Sequence, residues 1–494
     1  MFRATCPSLF FDQLRIPYRV EEPGAVWAEL EERHPLRAAT RFETTNGHGL
    51  RFAAWPAPDS LTTASTQAFV LESLPLYGRL LDDATCADWL RSTPDGWRRT
   101  TPIRDPNGRQ VGSLWRDGRG NAFLPFEPDE IILNFLSEAY KSVARMPLDG
   151  AAGAAAKRLY YRTKHALPRT LQIRLRRLLS GVQARTDFPR WPIEPALIEF
   201  SRLLFLLLED TVAQPIPWIS PWPKPYSWSL VLTHDVETAR GFECLHLLRD
   251  IELEAGCRSS WNFVPIRYES DARYDVRDDD VRGLTELGFE VGVHGFRHDG
   301  RDLSSLATLR ERLPRIQEYA SRWSATGFRS PAMHRRWEWM PMLPFDYDCS
   351  YPDTDPFEPQ GGGCCSWLPY FNRNLVELPT TLPQDHTLFA ILGRNDESDW
   401  VDKTTLIRRQ GGMALLLTHP DYMTETHLLD AYRRYLARFG RDQSVWLALP
   451  REVSAWWRRR AESRLVQTGD GSWEIVGPAA GEGRPVFGAP KGVA

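Results

Sequence analysis

The sequence predicts an α/β protein in which residues 225–462 form a parallel-sheet domain, preceded by a separate α/β or α+β domain. Three observations lead there. Beyond residue 225, short Val- and Leu-rich runs alternate with longer amphipathic stretches, the pattern of successive βα units. Ahead of them, QPIPWISPWPKPYSW (214–228) carries five prolines and reads as an extended linker at a domain boundary. At 494 residues, the chain is long enough for two or three substantial cores.

Residues 1–150 mix strand-like runs (TQAFVLE, NAFLPF) with a helical one (PDEIILNFLSEAYKSV) and form an N-terminal domain without a recognisable chemical motif. Residues 151–224 read as a connector. Its first part, AAGAAAKRLYYRTKHALPRTLQIRLRRLLSG (151–181), has many Lys and Arg and no Asp or Glu. Such a stretch can lie on an anionic membrane surface or serve as a linker helix packed on a neighbour; the interruption at Pro168 favours the linker. The helix-like PALIEFSRLLFLLLED follows.

In the region 225–462 the elements come in order. WSLVLT, SSWNFV, GFEVGV, ATGFRS, MALLLT and VWLAL read as strands. GFECLHLLRDIELEAG, DDVRGLTEL, SSLATLRERLPRIQEYASRW and ETHLLDAYRRYLARFG read as helices between them. Residues 463–494 remain as a C-terminal tail.

Composition narrows the function classes. A net charge of −3 gives no drive toward nucleic acid. The N-terminus lacks a basic segment followed by an apolar one, so no secretory signal is read, and LLFLLL (203–208) is too short to span a bilayer. Seven scattered cysteines without CxxC spacing suggest reduced thiols. These readings predict a cytoplasmic protein, with 151–181 as a candidate contact to the inner face of the membrane.

In parallel sheets, functional groups gather at the C-terminal ends of the strands. Here SLVLTHDVE (229–237) places His234, Asp235 and Glu237 at the end of one apolar run. VGVHGFRHDG gives His294 and His298, GFRSP gives Arg329 and Pro331, and ALLLTHPDY gives His419. No one of these is specific alone. Four strand ends carrying ionisable groups, however, would converge on one rim. Two histidines four apart across a turn opened by Gly295, with a carboxylate, can form a two-His, one-carboxylate metal site with open positions. A further carboxylate can act as general base and His419 as general acid.

In this order the residues resemble the polysaccharide deacetylases of the NodB-homology class, carbohydrate esterase family 4. THDVE (233–237) stands where the family has its TFDDG-like first motif. His294–His298 resembles its His-x-x-x-His, and Arg329-Ser330-Pro331 its Arg-x-Pro. FDYDCSYPD (345–353) lies in the interval of its fourth motif, and Leu416-Leu417-Thr418-His419 resembles its Leu-x-x-His. The resemblance covers roughly residues 225–460. It implies a distorted (β/α) barrel holding a divalent metal, zinc or else cobalt, and hydrolysis of an acetyl group on an N-acetylated saccharide. Carried over, Asp235 is the general base, Arg329 keeps it ionised, His419 protonates the leaving group, and Glu237, His294 and His298 hold the metal.

The departures from the family pattern leave alternatives open. Val236 stands where an adjacent aspartate is usual, so the carboxylate ligand is Glu237 or Asp235 itself, or else the metal is lost. His234 replaces a Phe and is either a hydrogen-bond partner behind the site or exposed. The partner of His419 is either Asp346 or Asp348. Pro331, Asp348, Trp337 and Trp367 are candidate substrate contacts; for Trp337, Trp339, Trp367 and Tyr370, loop packing is the alternative to stacking on a sugar. Gly361–Gly363 lack a following GK[ST] and read as a turn, and Cys364 and Cys365 as buried thiols. Two other readings remain: C–N hydrolysis of a small amide or cyclic ureide, and a non-catalytic saccharide-binding protein on the same scaffold.

Overall fold

A computed structural model describes residues 2–26, 36, 39–46, 49–62, 64–91, 93, 96–144, 186–266 and 274–492. The basic stretch 151–181 lies outside the described residues. The chain divides into two compact units.

The first unit comprises residues 1–144, 195–220 and 459–494. Its nine-stranded sheet runs in the order Tyr18–Val20, Phe2–Ala4, Ala39–Asn46, Gly49–Pro56, Ala122–Phe123, Gln110–Arg116, Arg98–Arg104, Gln67–Leu71, Leu74–Gly78. Two parallel pairs sit among antiparallel ones. The helix Ala196–Val212 belongs to this unit and buries Phe200, Leu204, Phe205 and Leu208, a stripe at helical spacing. Residues 463–494 are more than the expected tail. They form the hairpin Arg464–Gln467/Trp473–Val476 and the strand Pro485–Phe487, which pairs with Pro217–Ile219. The proline-rich stretch is not a free linker either. Trp218, Trp222 and Trp228 are buried, and the indole N–H of Trp222 donates to the Gly411 carbonyl at 2.7 Å. An indole buried with its N–H satisfied anchors a segment that proline keeps out of helices.

The second unit, residues 145–194 and 221–458, carries the predicted alternation. Its strands are β1 (Trp228–Val236), β2 (Ser260–Phe263), β3 (Glu290–His294), β4 (Gly327–Arg329), β5 (Tyr347–Asp348), β6 (Tyr370–Asn372), β7 (Leu375–Glu377), β8 (Met413–Thr418) and β9 (Val445–Leu447). The main helices are α1 (Ala239–Ala255), α2 (Asp278–Glu286), α3 (Leu306–Trp323), α4 (Ser398–Gln410) and α5 (Thr426–Phe439). The sheet order is β6-β7-β5-β4-β3-β2-β1-β8, with β9 also paired to β1. All pairs are parallel except β6–β7.

The expected barrel is not closed: among the described residues the sheet is an open half-barrel. The gap is spanned irregularly. Thr381 Oγ1 accepts from the Leu415 N–H and donates to the Met413 carbonyl, at 2.8 and 2.7 Å, while the Leu382 N–H donates to the Leu415 carbonyl. A hydroxyl thus replaces part of a backbone ladder beside β8.

One boundary corrects the reading of the opening motif. β1 does not stop at Thr233 but runs to Val236, with all nine residues buried. Because strand side chains alternate, Thr233 and Asp235 share one face and His234 takes the other.

Candidate active site

The alternation decides what each residue of THDVE meets. On one face, Arg329 at the end of β4 donates from Nη1 and Nη2 to Thr233 Oγ1, both at 3.0 Å, and from Nη1 to Asp235 Oδ1 at 3.0 Å. Its Nε donates to the Cys349 carbonyl at 3.1 Å. Asn262 at the end of β2 donates a further bond to Asp235 Oδ1 at 2.9 Å. All of these side chains are buried. Burial pushes the Asp235 carboxyl upward, but the Arg329 guanidinium, then His294 and His419, outweigh it and hold the group below the usual range.

Glu237 follows the strand, and Thr238 immediately caps α1 by accepting from the Gly241 N–H at 3.0 Å. Glu237 Oε1 lies 3.1 Å from His294 Nε2 and 2.9 Å from His298 Nε2. Burial raises the Glu237 carboxyl; His298 and His294 together bring it well below the carboxylate range.

The turn between the histidines requires Gly295. Its φ is +66°, and a Cβ there would stand 2.5 Å from both Asp302 Oδ2 and Pro331 Cδ. Pro331 therefore packs against the histidine loop, and it is buried. Arg312 on α3 clamps the same loop, pairing with Asp299 Oδ2 at 2.7 Å and Asp302 Oδ1 at 2.6 Å. Asp302 Oδ2 in turn accepts from the Phe296 N–H.

This donor set fits a divalent metal. Glu237, His294 and His298 offer one carboxylate oxygen and two imidazole nitrogens within 4.8 Å of one another, a common ligand class for zinc and its neighbours. His294 Nδ1 lies 3.1 Å from the Arg329 carbonyl. A carbonyl only accepts, so Nδ1 carries the proton and the Nε2 lone pair is left for the metal. Asp235, Glu237 and His419 form a second such group. Asp235 Oδ1, however, is already engaged by Arg329 and Asn262, which favours Glu237 as the ligand.

His419 sits one residue past β8. Its Nδ1 bonds Asp385 Oδ1 at 2.7 Å, its backbone N–H donates to Asp385 Oδ2 at 2.6 Å, and its Nε2 is 3.8 Å from Glu237 Oε1. Burial lowers the imidazole, but Asp385, with Glu237 and Asp235, raises it to about 10. Neither expected partner is present: Asp346 is exposed, and Asp348 is buried with its carboxylate taken by Ser350 Oγ and N–H at 2.6 and 2.9 Å. Asp348 also neighbours Glu377, whose carboxyl is raised well above the usual range, first by burial and then by Asp348. Asp348 is accordingly a structural group here. Asp385 carried no signal in the sequence, standing in an aperiodic PQDHT.

Of the aromatic residues in the rim loops, Trp367 and Tyr370 are buried and Trp337 is partly exposed. Trp367 is buried with its N–H on Asp353 Oδ2 at 2.9 Å. Trp337, half-buried, stacks on Tyr370 with centroids 6.2 Å apart. Cys364 and Cys365 are buried thiols, and Gly363 packs against the Asp353 carbonyl.

No family model matches the chain, and no curated protein matches it. Among solved structures, a Mycobacterium smegmatis protein assigned as a polysaccharide deacetylase is similar at 19% identity and a TM-score of 0.40, over 48% of this chain and 92% of its own. A Puue allantoinase is similar at 15% identity and 0.39, over 49% and 93%. A family 4 carbohydrate esterase from Streptomyces lividans is similar at 13% identity and 0.28, over 44% and 90%. The solved structures that this chain resembles over about half its length thus include polysaccharide deacetylases and family 4 carbohydrate esterases.

Proposed function

We propose that the chain is a metal-dependent hydrolase that removes an acetyl group from an N-acetylated saccharide. One observation carries the reading. The Glu237–His294–His298 group, the Arg329–Asp235 pair and the Asp385–His419 pair meet at the ends of neighbouring strands. A base held ionised, an acid held protonated and a ligand triad together suit hydrolysis of an amide.

In this account Glu237, His294 and His298 hold a divalent metal, zinc or cobalt, which when bound polarises the acyl oxygen and acidifies water. Asp235 takes the proton from the attacking water, and Arg329 keeps it ionised between turnovers. His419, protonated and oriented by Asp385, delivers a proton to the leaving nitrogen. The saccharide follows from the sequence resemblance. Because Trp367 and Trp337 are engaged in packing, a second reading, C–N hydrolysis of a small amide or cyclic ureide, keeps specific support. The proton-handling pairs speak against a merely saccharide-binding protein. Among the described residues no helix is long and apolar enough to cross a membrane; a peripheral contact through 151–181 and a cytoplasmic site of action are part of the proposal.

The test is acetate release from N-acetylated chitooligosaccharides by the zinc-loaded protein. Asp235→Asn should lose roughly 100-fold or more in kcat with its fold retained. An unaffected rate removes Asp235 as base, and turnover of small amides with inert saccharides selects the second reading.

A further inference from the structure

On the face of β1 opposite Asp235, His234 is buried in a polar cluster that the proposed chemistry does not use. Its Nδ1 lies 2.7 Å from Thr418 Oγ1 on β8, and its Nε2 lies 2.7 Å from Glu252 Oε1 on α1. Tyr432 on α5 donates to the same Glu252 oxygen, and Ser259 Oγ donates to the other at 2.6 Å. The ring also lies against Trp261 of β2, with centroids 4.1 Å apart. His234, Thr418, Glu252 and Ser259 are all fully buried. A desolvated cluster of this kind is costly unless every member is satisfied, and an apolar residue at 234 would serve packing alone.

The position of the cluster is what gives it a consequence. β1 and β8 are paired from Ser229↔Met413 to His234↔Thr418, and that last register pair is the one joined side chain to side chain. One residue beyond it on each strand stand Asp235 and His419. Past this pair no backbone register of β1 with β8 continues, so the His234–Thr418 contact is the final link before the two groups.

We propose that His234 is a positioning residue: through Thr418 it locks the end of the base-bearing strand to the end of the acid-bearing strand, and through Glu252 it ties both to α1 and α5. The proposal rests on the assignment of Asp235 and His419 as base and acid. Proton transfer at two sites tolerates little misplacement, and a shift near 1 Å costs about 100-fold in rate.

The experiment compares Thr418→Val, nearly isosteric, with His234→Phe and with Leu248→Ala, which removes buried packing from α1 and none of the cluster's hydrogen bonds. Readouts are thermal stability, zinc content, kcat and KM for acetate release, and the NMR titration of the His419 ring. Thr418→Val leaves His234 Nδ1 without its partner and should lose some stability, keep zinc and KM close to wild type, lower kcat on the order of 10- to 100-fold, and shift the His419 titration. His234→Phe should do the same with a loss of stability, whereas Leu248→Ala should lose stability with kcat and titration retained. Wild-type kcat and an unmoved His419 titration in folded Thr418→Val would overturn the proposal. If the wild type releases no acetate, the functional reading fails on its own. A crystal structure of Thr418→Val still decides the positioning role in that case: Asp235 and His419 displaced from one another supports it, and an unmoved pair overturns it.

Discussion

Arg329 and Asp235 form a fully buried ion pair, Nη1 to Oδ1 at 3.0 Å, in which the guanidinium also holds Thr233 two residues earlier on the same strand face. The arginine therefore fixes both the charge and the orientation of the Asp235 carboxylate, the proposed base. Arg329→Met leaves a buried carboxylate without its cation and should cost about 3–5 kcal/mol of stability. Since Arg329 holds the Asp235 carboxyl down, its loss raises that group, and the acid limb of the kcat/KM–pH profile should move to higher pH. A profile with its acid limb unmoved would separate Arg329 from the base.

Asp385 is the counterpart for the acid. It holds His419 through both the ring and the backbone N–H, and it is the chief influence raising the imidazole to about 10. Asp385→Asn should bring the His419 titration down by NMR and shift the alkaline limb of the rate profile to lower pH. The rate loss should be on the order of 100-fold. Asp348→Asn should leave the His419 titration where it is.

The Arg312 clamp acts on the histidine loop from outside the ligand set. Arg312→Leu removes the pairings with Asp299 and Asp302 and should weaken zinc affinity about 10- to 100-fold, read by chelator competition. Unchanged affinity would show that the Gly295 turn alone holds His298 in place.

Glu290 lies at the start of β3, four residues before His294, and bonds the Tyr347 hydroxyl at 2.6 Å and the Arg451 N–H at 3.1 Å. Burial, the dominant influence, raises it from 4.5 to about 7. Between those values the folded chain keeps a proton that the unfolded chain has lost, so stability falls as pH rises from 4.5 to 7, by about 3 kcal/mol at most. Glu290→Gln resembles the protonated form and should flatten that decline in chemical denaturation across this range. An equal decline in the variant would contradict it.

The groups that meet at the rim were legible because each follows or ends an apolar run, and the run, its terminus and the ionisable residue are all local patterns. What was not legible depended on contacts distant in sequence. The end of β1 was misplaced because polar side chains in a strand look like its terminus, when His234 and Asp235 are paid for by partners on α1, β4 and β8. Asp385 reaches His419 from an irregular segment with no periodicity. Trp367 had the composition of a sugar platform as well as of a packed loop, and its burial and its partner Asp353 reveal it as packing. The irregular segment beside β8, where the Thr381 hydroxyl takes two backbone bonds of that strand, carried no periodic signal either.

In the proposed site Glu237, displaced by one residue from the position the resemblance implies, completes a metal-binding group with His294 and His298. Metal content of the purified protein by elemental mass spectrometry, wild type beside Glu237→Ala and His294→Ala, tests it most directly. The account predicts about one divalent ion per chain in the wild type and its loss from both variants. Metal retained in Glu237→Ala but lost from His294→Ala, or no metal in the wild type after reconstitution with zinc or cobalt, would contradict it.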